Sequence, residues 1–84
     1  MTIYHFTQLS ESLQLKALDR FGVLIAERKA AYCDIKLYQV NGFYVELFHH
    51  THFNVIVNIN PFTNMDLLDP YFESMNIDTL VLAS

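Results

Sequence analysis

The spacing of apolar residues changes along the chain, and the first part has helical periodicity. Apolar side chains recur every fourth position from Leu9 to Phe21, which predicts an amphipathic helix over Gln8 to Phe21. Thr7 is placed to cap the start of this helix through its hydroxyl. Gly22 is expected just past the end, in the left-handed conformation that glycine adopts most readily.

Beyond this glycine the apolar runs become short or alternating, as is typical of β-strands. A first, buried strand is predicted at Val23–Ala26, followed by a turn over Arg28–Ala31. Three further strands are predicted at Cys33–Gln39, Phe43–His50 and Phe53–Asn60, and Pro61 is expected to close the last one.

The C-terminal part is predicted to be helical again, from about Asn64 to Met75. Thr63 is three residues before Asp66, which is a capping spacing, and Asp69-Pro70 resembles a second helix start. The apolar segment Ile77–Leu82 either docks as a helix end or adds a strand, within its own chain or to another.

The predicted fold is therefore one α+β domain over residues 1–84. It is a four-stranded antiparallel meander flanked by an N-terminal and a C-terminal helix, in the order α-β-β-β-β-α. Both helices are expected on the same face of the sheet, because one face of the predicted strands is more apolar than the other.

Asn41-Gly42 marks the central hairpin and allows two registers. A two-residue loop pairs Val40 with Phe43, but it mixes charged and apolar residues on each face. A three-residue loop with its glycine in a bulge separates them and pairs Lys36 with Glu46. Because a slip of one residue turns every side chain to the other face, this separation favours the three-residue loop.

In the favoured register the outer face of the sheet is aromatic. Aromatic side chains with polar tips suit protein interfaces, although scattered aromatics also occur on ordinary solvated faces. We expect the interface to be formed by four residues of this face, namely Tyr38, Tyr44, Phe48 and Ile56.

Composition adds an argument about partners. The chain has 84 residues, 52% of them apolar, with a mean hydropathy of +0.20. This is more apolar surface than one small core hides, so a homodimer is expected, and a further protein partner is compatible with it.

Net charge is −4 and only five residues are basic, which argues against nucleic-acid and membrane-surface binding. A single cysteine and the absence of a signal-peptide pattern at the N-terminus predict a cytoplasmic protein.

The histidine cluster His49, His50 and His52 is the most distinctive candidate for chemistry. With Cys33, expected opposite His49, it could hold a transition metal or provide a nucleophile and its base. The alternative is a polar turn beside a structural cysteine. The spacing matches no metal-site pattern, and an apolar face does not suit a nucleophilic thiol.

The acidic residues of the C-terminal part are more simply explained by helix capping and a solvated helix face. They are Asp66, Asp69, Glu73 and Asp78. No catalytic residue and no cofactor are predicted. The expected function is a non-catalytic interaction module that acts as a homodimer, and the alternative is a small-molecule or metal-binding protein that uses the histidine cluster.

Overall fold

Two helices, four strands and a 3₁₀ helix follow one another in a computed structural model that describes residues 1–72. The strands form one antiparallel sheet in the order β1-β2-β3-β4, which confirms the predicted α+β meander with flanking helical segments. No helix among these residues is long and apolar enough to cross a membrane. The elements are α1 (Ile3–Gln8), α2 (Glu11–Phe21), β1 (Val23–Ala30), β2 (Cys33–Val40), β3 (Phe43–His50), β4 (Val55–Phe62) and the 3₁₀ helix (Met65–Tyr71).

The N-terminal helical region is split in two rather than continuous. Thr2 caps α1 by accepting a hydrogen bond from the backbone of His5, and Ser10 caps α2 in the same way. The predicted cap Thr7 lies inside α1, where its hydroxyl donates to the carbonyl of Tyr4 at 2.7 Å. The cap prediction was wrong because Ser10 offers a second start signal next to the same apolar stripe.

Gly22 follows α2, but it is not in the left-handed conformation, because its φ is −84°. A β-carbon at this position would lie 2.7 Å from the carbonyl oxygen of Leu18 and 3.2 Å from the ring of Tyr38. Glycine is therefore required here by the close approach of α2 to the sheet, not by backbone conformation.

The outer strands are longer than predicted. β1 continues through the basic pair Arg28-Lys29, so its turn lies later, at Ala31-Tyr32. Its first half is exposed rather than buried. β4 includes Pro61, which an edge strand tolerates because its outward N–H groups need no partner in the sheet.

The central hairpin uses the two-residue loop, so the predicted register was wrong by one residue. Val40 pairs with Phe43, and Glu46 pairs with Leu37 instead of Lys36. Gly42 has a φ of 91°, so the expected left-handed glycine is present in a different loop. The faces are consequently rearranged, because side chains alternate along each strand.

Each face of the sheet is covered by a different helical segment, so the N-terminal helices and the 3₁₀ helix do not share one face. On the helix face, α1 and α2 pack on the sheet through a core cluster of Phe6, Ala17, Leu18, Val40, Phe43 and Val45. On the opposite face, which we call the network face, the 3₁₀ helix packs through a second cluster of Ile35, Leu37, Phe62, Leu68 and Tyr71. The single-face prediction failed because the corrected register divides the apolar residues of β2 and β3 between both faces.

The C-terminal helical region is a 3₁₀ helix with Pro70 inside it. Its cap is Asn64, whose side chain accepts a hydrogen bond from the backbone of Asp66 at 3.0 Å, and Thr63 is not the cap. The predicted helix beyond Phe72 and the apolar segment 77–82 lie outside the described residues.

Candidate functional site

The four predicted interface residues do not share one face. Tyr38 and Ile56 lie on the helix face, whereas Tyr44 and Phe48 lie on the network face. All four are half-buried, and Tyr44 stacks on Phe62 with ring centroids 5.6 Å apart. The aromatic outer face predicted from the sequence does not exist as one surface in this fold.

A run of three consecutive exposed apolar residues lies instead on the edge strand β1. Val23, Leu24 and Ile25 are 62%, 45% and 38% exposed, and Phe21 at the end of α2 is also exposed. Within residues 1–72, β1 pairs only with β2, so its other edge has no strand partner there. An apolar edge with free backbone groups is a template for pairing with another strand.

A carboxylate, Glu46, is buried at the centre of the network face, with 5% of its surface exposed. Its Oε1 accepts a hydrogen bond from Asn60 Nδ2 at 3.0 Å. Its Oε2 accepts one from the Tyr71 hydroxyl at 2.6 Å and one from Arg28 Nη2 at 3.2 Å. The carboxylate thus joins β1, β4 and the 3₁₀ helix to β3. We call Arg28, Glu46, Asn60 and Tyr71 the Glu46 network.

Arg28 contributes to this network in two ways. Its guanidinium forms the ion pair with Glu46 and lies over the Tyr71 ring, 5.2 Å from the centroid. Burial lowers the pKa of Arg28, but hydrogen bonds with Tyr71 and Glu46 outweigh this and raise it overall. The pKa of Tyr71 is raised, first by burial and then by its hydrogen bond to Glu46. Both shifts favour the protonated forms, so Arg28 stays charged and Tyr71 stays neutral.

Both oxygens of Glu46 are occupied by protein donors, so this carboxylate is already satisfied by its own chain. Within residues 1–72 the one buried side-chain polar atom without a hydrogen-bond partner is Arg28 Nε. Its side chain is 29% exposed, so water reaches the guanidinium. A carboxylate with this environment serves to hold elements together rather than to abstract a proton.

Aromatic side chains gather where the β1–β2 turn meets the β3–β4 loop. Tyr32 and Phe53 are each 69% exposed, and the half-buried ring of His50 lies between them. The Tyr32 and His50 rings are nearly parallel at 3°, and His52 meets Phe53 edge-on at 4.9 Å. We call Tyr32, His50, His52 and Phe53 the aromatic tip, and they line an open pocket of about 440 Å³.

Backbone hydrogen bonds hold the aromatic tip in place. His50 Nδ1 accepts hydrogen bonds from the backbone N–H groups of His52 at 3.2 Å and of Phe53 at 3.1 Å. Thr51 ties the two turns together, because its N–H donates to the carbonyl of Tyr32 at 2.9 Å. Asn54 completes the loop in the left-handed conformation, with φ 56°.

The predicted metal ligands do not converge. His49 pairs with Asp34, and Cys33 pairs with His50, so the predicted Cys33–His49 pairing was wrong by the same one-residue shift. His50 Nδ1 is already used as a hydrogen-bond acceptor. Within residues 1–72 no three His, Cys, Asp or Glu side chains are grouped so that they could hold a metal ion.

A second depression, of about 340 Å³, is lined mainly by charged residues of β1 and β2. Glu27 lies opposite Lys36, and Lys29 lies opposite Asp34, so acidic and basic side chains alternate across the strands. Such cross-strand pairs stabilise the sheet by a few tenths of a kcal/mol each and leave little net charge for a ligand. Of the acidic residues considered above, Asp66 and Asp69 are exposed in the 3₁₀ helix, and residues 73 and 78 lie outside the described range.

Sequence reasoning missed both the Glu46 network and the aromatic tip. The network depended on Arg28 lying inside β1, and that basic residue was assigned to a turn. For the tip, a signal was present, because Tyr32 lies in a turn and Phe53 follows three histidines. Only the pairing of β2 with β3 brings those two positions together.

Comparison of the chain with protein-family models, with curated proteins and with solved structures gives no match.

Proposed function

We propose that the chain is a small non-catalytic interaction module that forms a homodimer through the edge of β1. The observation that carries this proposal is the exposed apolar run Val23–Ile25 on a strand edge that has no partner within residues 1–72. Burial of such a run against a second copy removes apolar surface from water and satisfies backbone groups at the same time.

The charges along β1 favour one arrangement of the two copies. In an antiparallel pairing centred on Leu24, Val23 of one copy faces Ile25 of the other, and the contact is isologous. The charged residues Glu27 to Lys29 then lie beyond the paired stretch, whereas the β-bulge between Leu24 and Ala26 lies within it, at Ile25. The apolar part of the edge is therefore separated from the part that charges protect.

Composition and the polar network support the same proposal. An apolar fraction of 52% in 84 residues exceeds what a small core requires. Glu46, which is the one buried carboxylate of residues 1–72, has protein partners on both oxygens, which suits a structural role. The free thiol of Cys33 suits a reducing compartment, and we infer a cytoplasmic location on that ground.

Sedimentation velocity on the full chain tests the dimer. We expect wild type at micromolar concentration to sediment with twice the chain mass of 9.8 kDa. The double variant Val23→Lys, Ile25→Lys adds charges to the pairing edge, so it is expected to sediment as a monomer.

The matched control is Val57→Lys on the other edge strand, where the side chain is 52% exposed. This variant is expected to remain a dimer. A wild type that stays monomeric up to about 100 µM, which means a binding free energy weaker than about 5.5 kcal/mol, contradicts the proposal. A double variant that still dimerises moves the contact away from β1.

A further inference from the structure

The aromatic tip is a second candidate surface, and its chemistry differs from that of β1. No Asp, Glu, Lys or Arg occurs between Leu47 and Met65, nor in the turn from Ala30 to Cys33. The tip therefore lies in a part of the surface whose own segments carry no formal charge apart from histidine protonation. A ligand that binds here is selected by shape, apolar contact and hydrogen bonding, since no ion pair is available from these segments.

Two side chains at the tip, His50 and Tyr32, can donate hydrogen bonds to a ligand. Because His50 Nδ1 accepts two backbone hydrogen bonds, the proton of the neutral ring is on Nε2, which can then donate. Tyr32 is largely exposed and adds a hydroxyl at the rim of the same pocket. A complementary ligand therefore has apolar bodies and carbonyl groups that accept these hydrogen bonds.

We propose that the aromatic tip binds a proline-rich peptide segment in the polyproline II conformation. Proline has a carbonyl acceptor and no backbone N–H, so its backbone matches a donor site. Its ring is compact and apolar, and proline-rich segments dock in grooves lined by aromatic side chains. Such a segment is preformed, as the tip is, so little conformational entropy is lost on binding.

The hydrogen bonds of the tip explain why this surface is preorganised. His50 is fixed by two backbone donors, Thr51 joins the two turns, and Asn54 adopts the conformation that closes the loop. An exposed aromatic pair that is held in this way presents a ready contact surface, which is the typical setting of a binding hot spot. The contact is independent of β1, because Tyr32 and Phe53 lie on turns at the other end of that strand.

An NMR titration of the ¹⁵N-labelled full chain with a ten-residue oligoproline tests the proposal. We expect saturable shifts of the amides of Tyr32 and of the loop from His50 to Asn54. A Gly-Ser peptide of equal length is expected to leave these amides unmoved. Raising the salt from about 0.05 M to 0.5 M should leave the affinity unchanged, because screening acts on charges and none are used.

Variants separate the tip from the rest of the surface. Tyr32→Ala and Phe53→Ala are each expected to weaken oligoproline binding by at least about tenfold, which corresponds to about 1.4 kcal/mol. Tyr4→Ala is the matched control, because Tyr4 in α1 is also 69% exposed, and it is expected to bind like wild type. The double lysine variant of Val23 and Ile25 is expected to bind equally well, whether or not it dimerises.

Several outcomes overturn the proposal. Absence of shifts at the tip excludes the peptide class, and unchanged affinity in both alanine variants excludes the surface. Tip amides that move with protein concentration, without peptide, identify a second copy of the chain as the occupant instead. Long-range ¹H–¹⁵N spectra that show the His50 proton on Nδ1 at neutral pH remove the donor argument.

Discussion

On the helix face, Phe6 and Leu18 pack against Val45 in a cluster that consists only of apolar side chains. On the network face, the packing surrounds Glu46, whose carboxylate is bound by Arg28 and Tyr71. The apolar cluster is held by burial, which is non-directional and graded with area. The carboxylate is held by hydrogen bonds with fixed partners, so its environment is specific to one arrangement of the strands.

This difference explains how the register of the central hairpin is selected. A slip of one residue between β2 and β3 would turn Glu46 away from Arg28 and towards the apolar cluster of the helix face. A buried carboxylate without partners costs several kcal/mol, whereas the exchange of one apolar residue for another costs far less. Both faces bury apolar clusters, and we expect the Glu46 network to add specificity for one register on the network face.

The largest effect is expected on the helix face. Phe6→Ala removes a fully buried ring that packs against Phe43, and it should lower the free energy of unfolding by about 3–5 kcal/mol. Urea denaturation measures this change. Tyr4→Ala, two residues earlier in α1 and exposed, should change stability by less than about 0.5 kcal/mol.

A smaller loss is expected when the network is broken at its cation. Arg28→Met keeps an apolar stem but leaves Glu46 without its ion pair, so stability should fall by about 2–3 kcal/mol, less than for a fully buried pair because Arg28 is partly exposed. Lys29→Met on the same strand is the control, and it should cost less than about 0.5 kcal/mol. Equal costs for the two variants would show that the network does not contribute specifically.

The smallest of the three effects is expected at Tyr71. Tyr71→Phe removes the hydrogen bond to the charged acceptor Glu46, together with the one to Arg28, and should cost about 1.5 kcal/mol at neutral pH. Because folding raises the pKa of Tyr71, its contribution is complete below the usual tyrosine pKa of about 10 and is lost as the pH rises beyond it.

Urea denaturation at alkaline pH checks this sign. Between pH 8 and 11 wild type should lose roughly 1 kcal/mol more stability than Tyr71→Phe. Absorbance at 295 nm should show that one of the five tyrosines ionises only when the protein unfolds, and that this tyrosine is absent from the variant. A Tyr71 that titrates with the exposed tyrosines would mean that the network face opens in solution.

The sequence predicted the elements more accurately than their contacts. Helical spacing up to Phe21 and the alternation in β2, β3 and β4 identified the right type of structure, since these patterns are local. Ser10 was missed as a helix start, and Arg28 was assigned to a turn, because neither position interrupts an apolar pattern strongly. The candidate surfaces were less predictable still. Tyr38, Tyr44, Phe48 and Ile56 were grouped by a register that the structure does not have.

By itself, the sequence determined that the chain forms an α+β meander around a hairpin at Asn41-Gly42. Local propensity and periodicity carry that information, and they act over a few residues. Only the tertiary structure decided the register, the two faces and the exposed surfaces, because these depend on which distant groups satisfy Glu46. Arg28, Asn60 and Tyr71 are far apart in the chain, so no local pattern reveals that they meet.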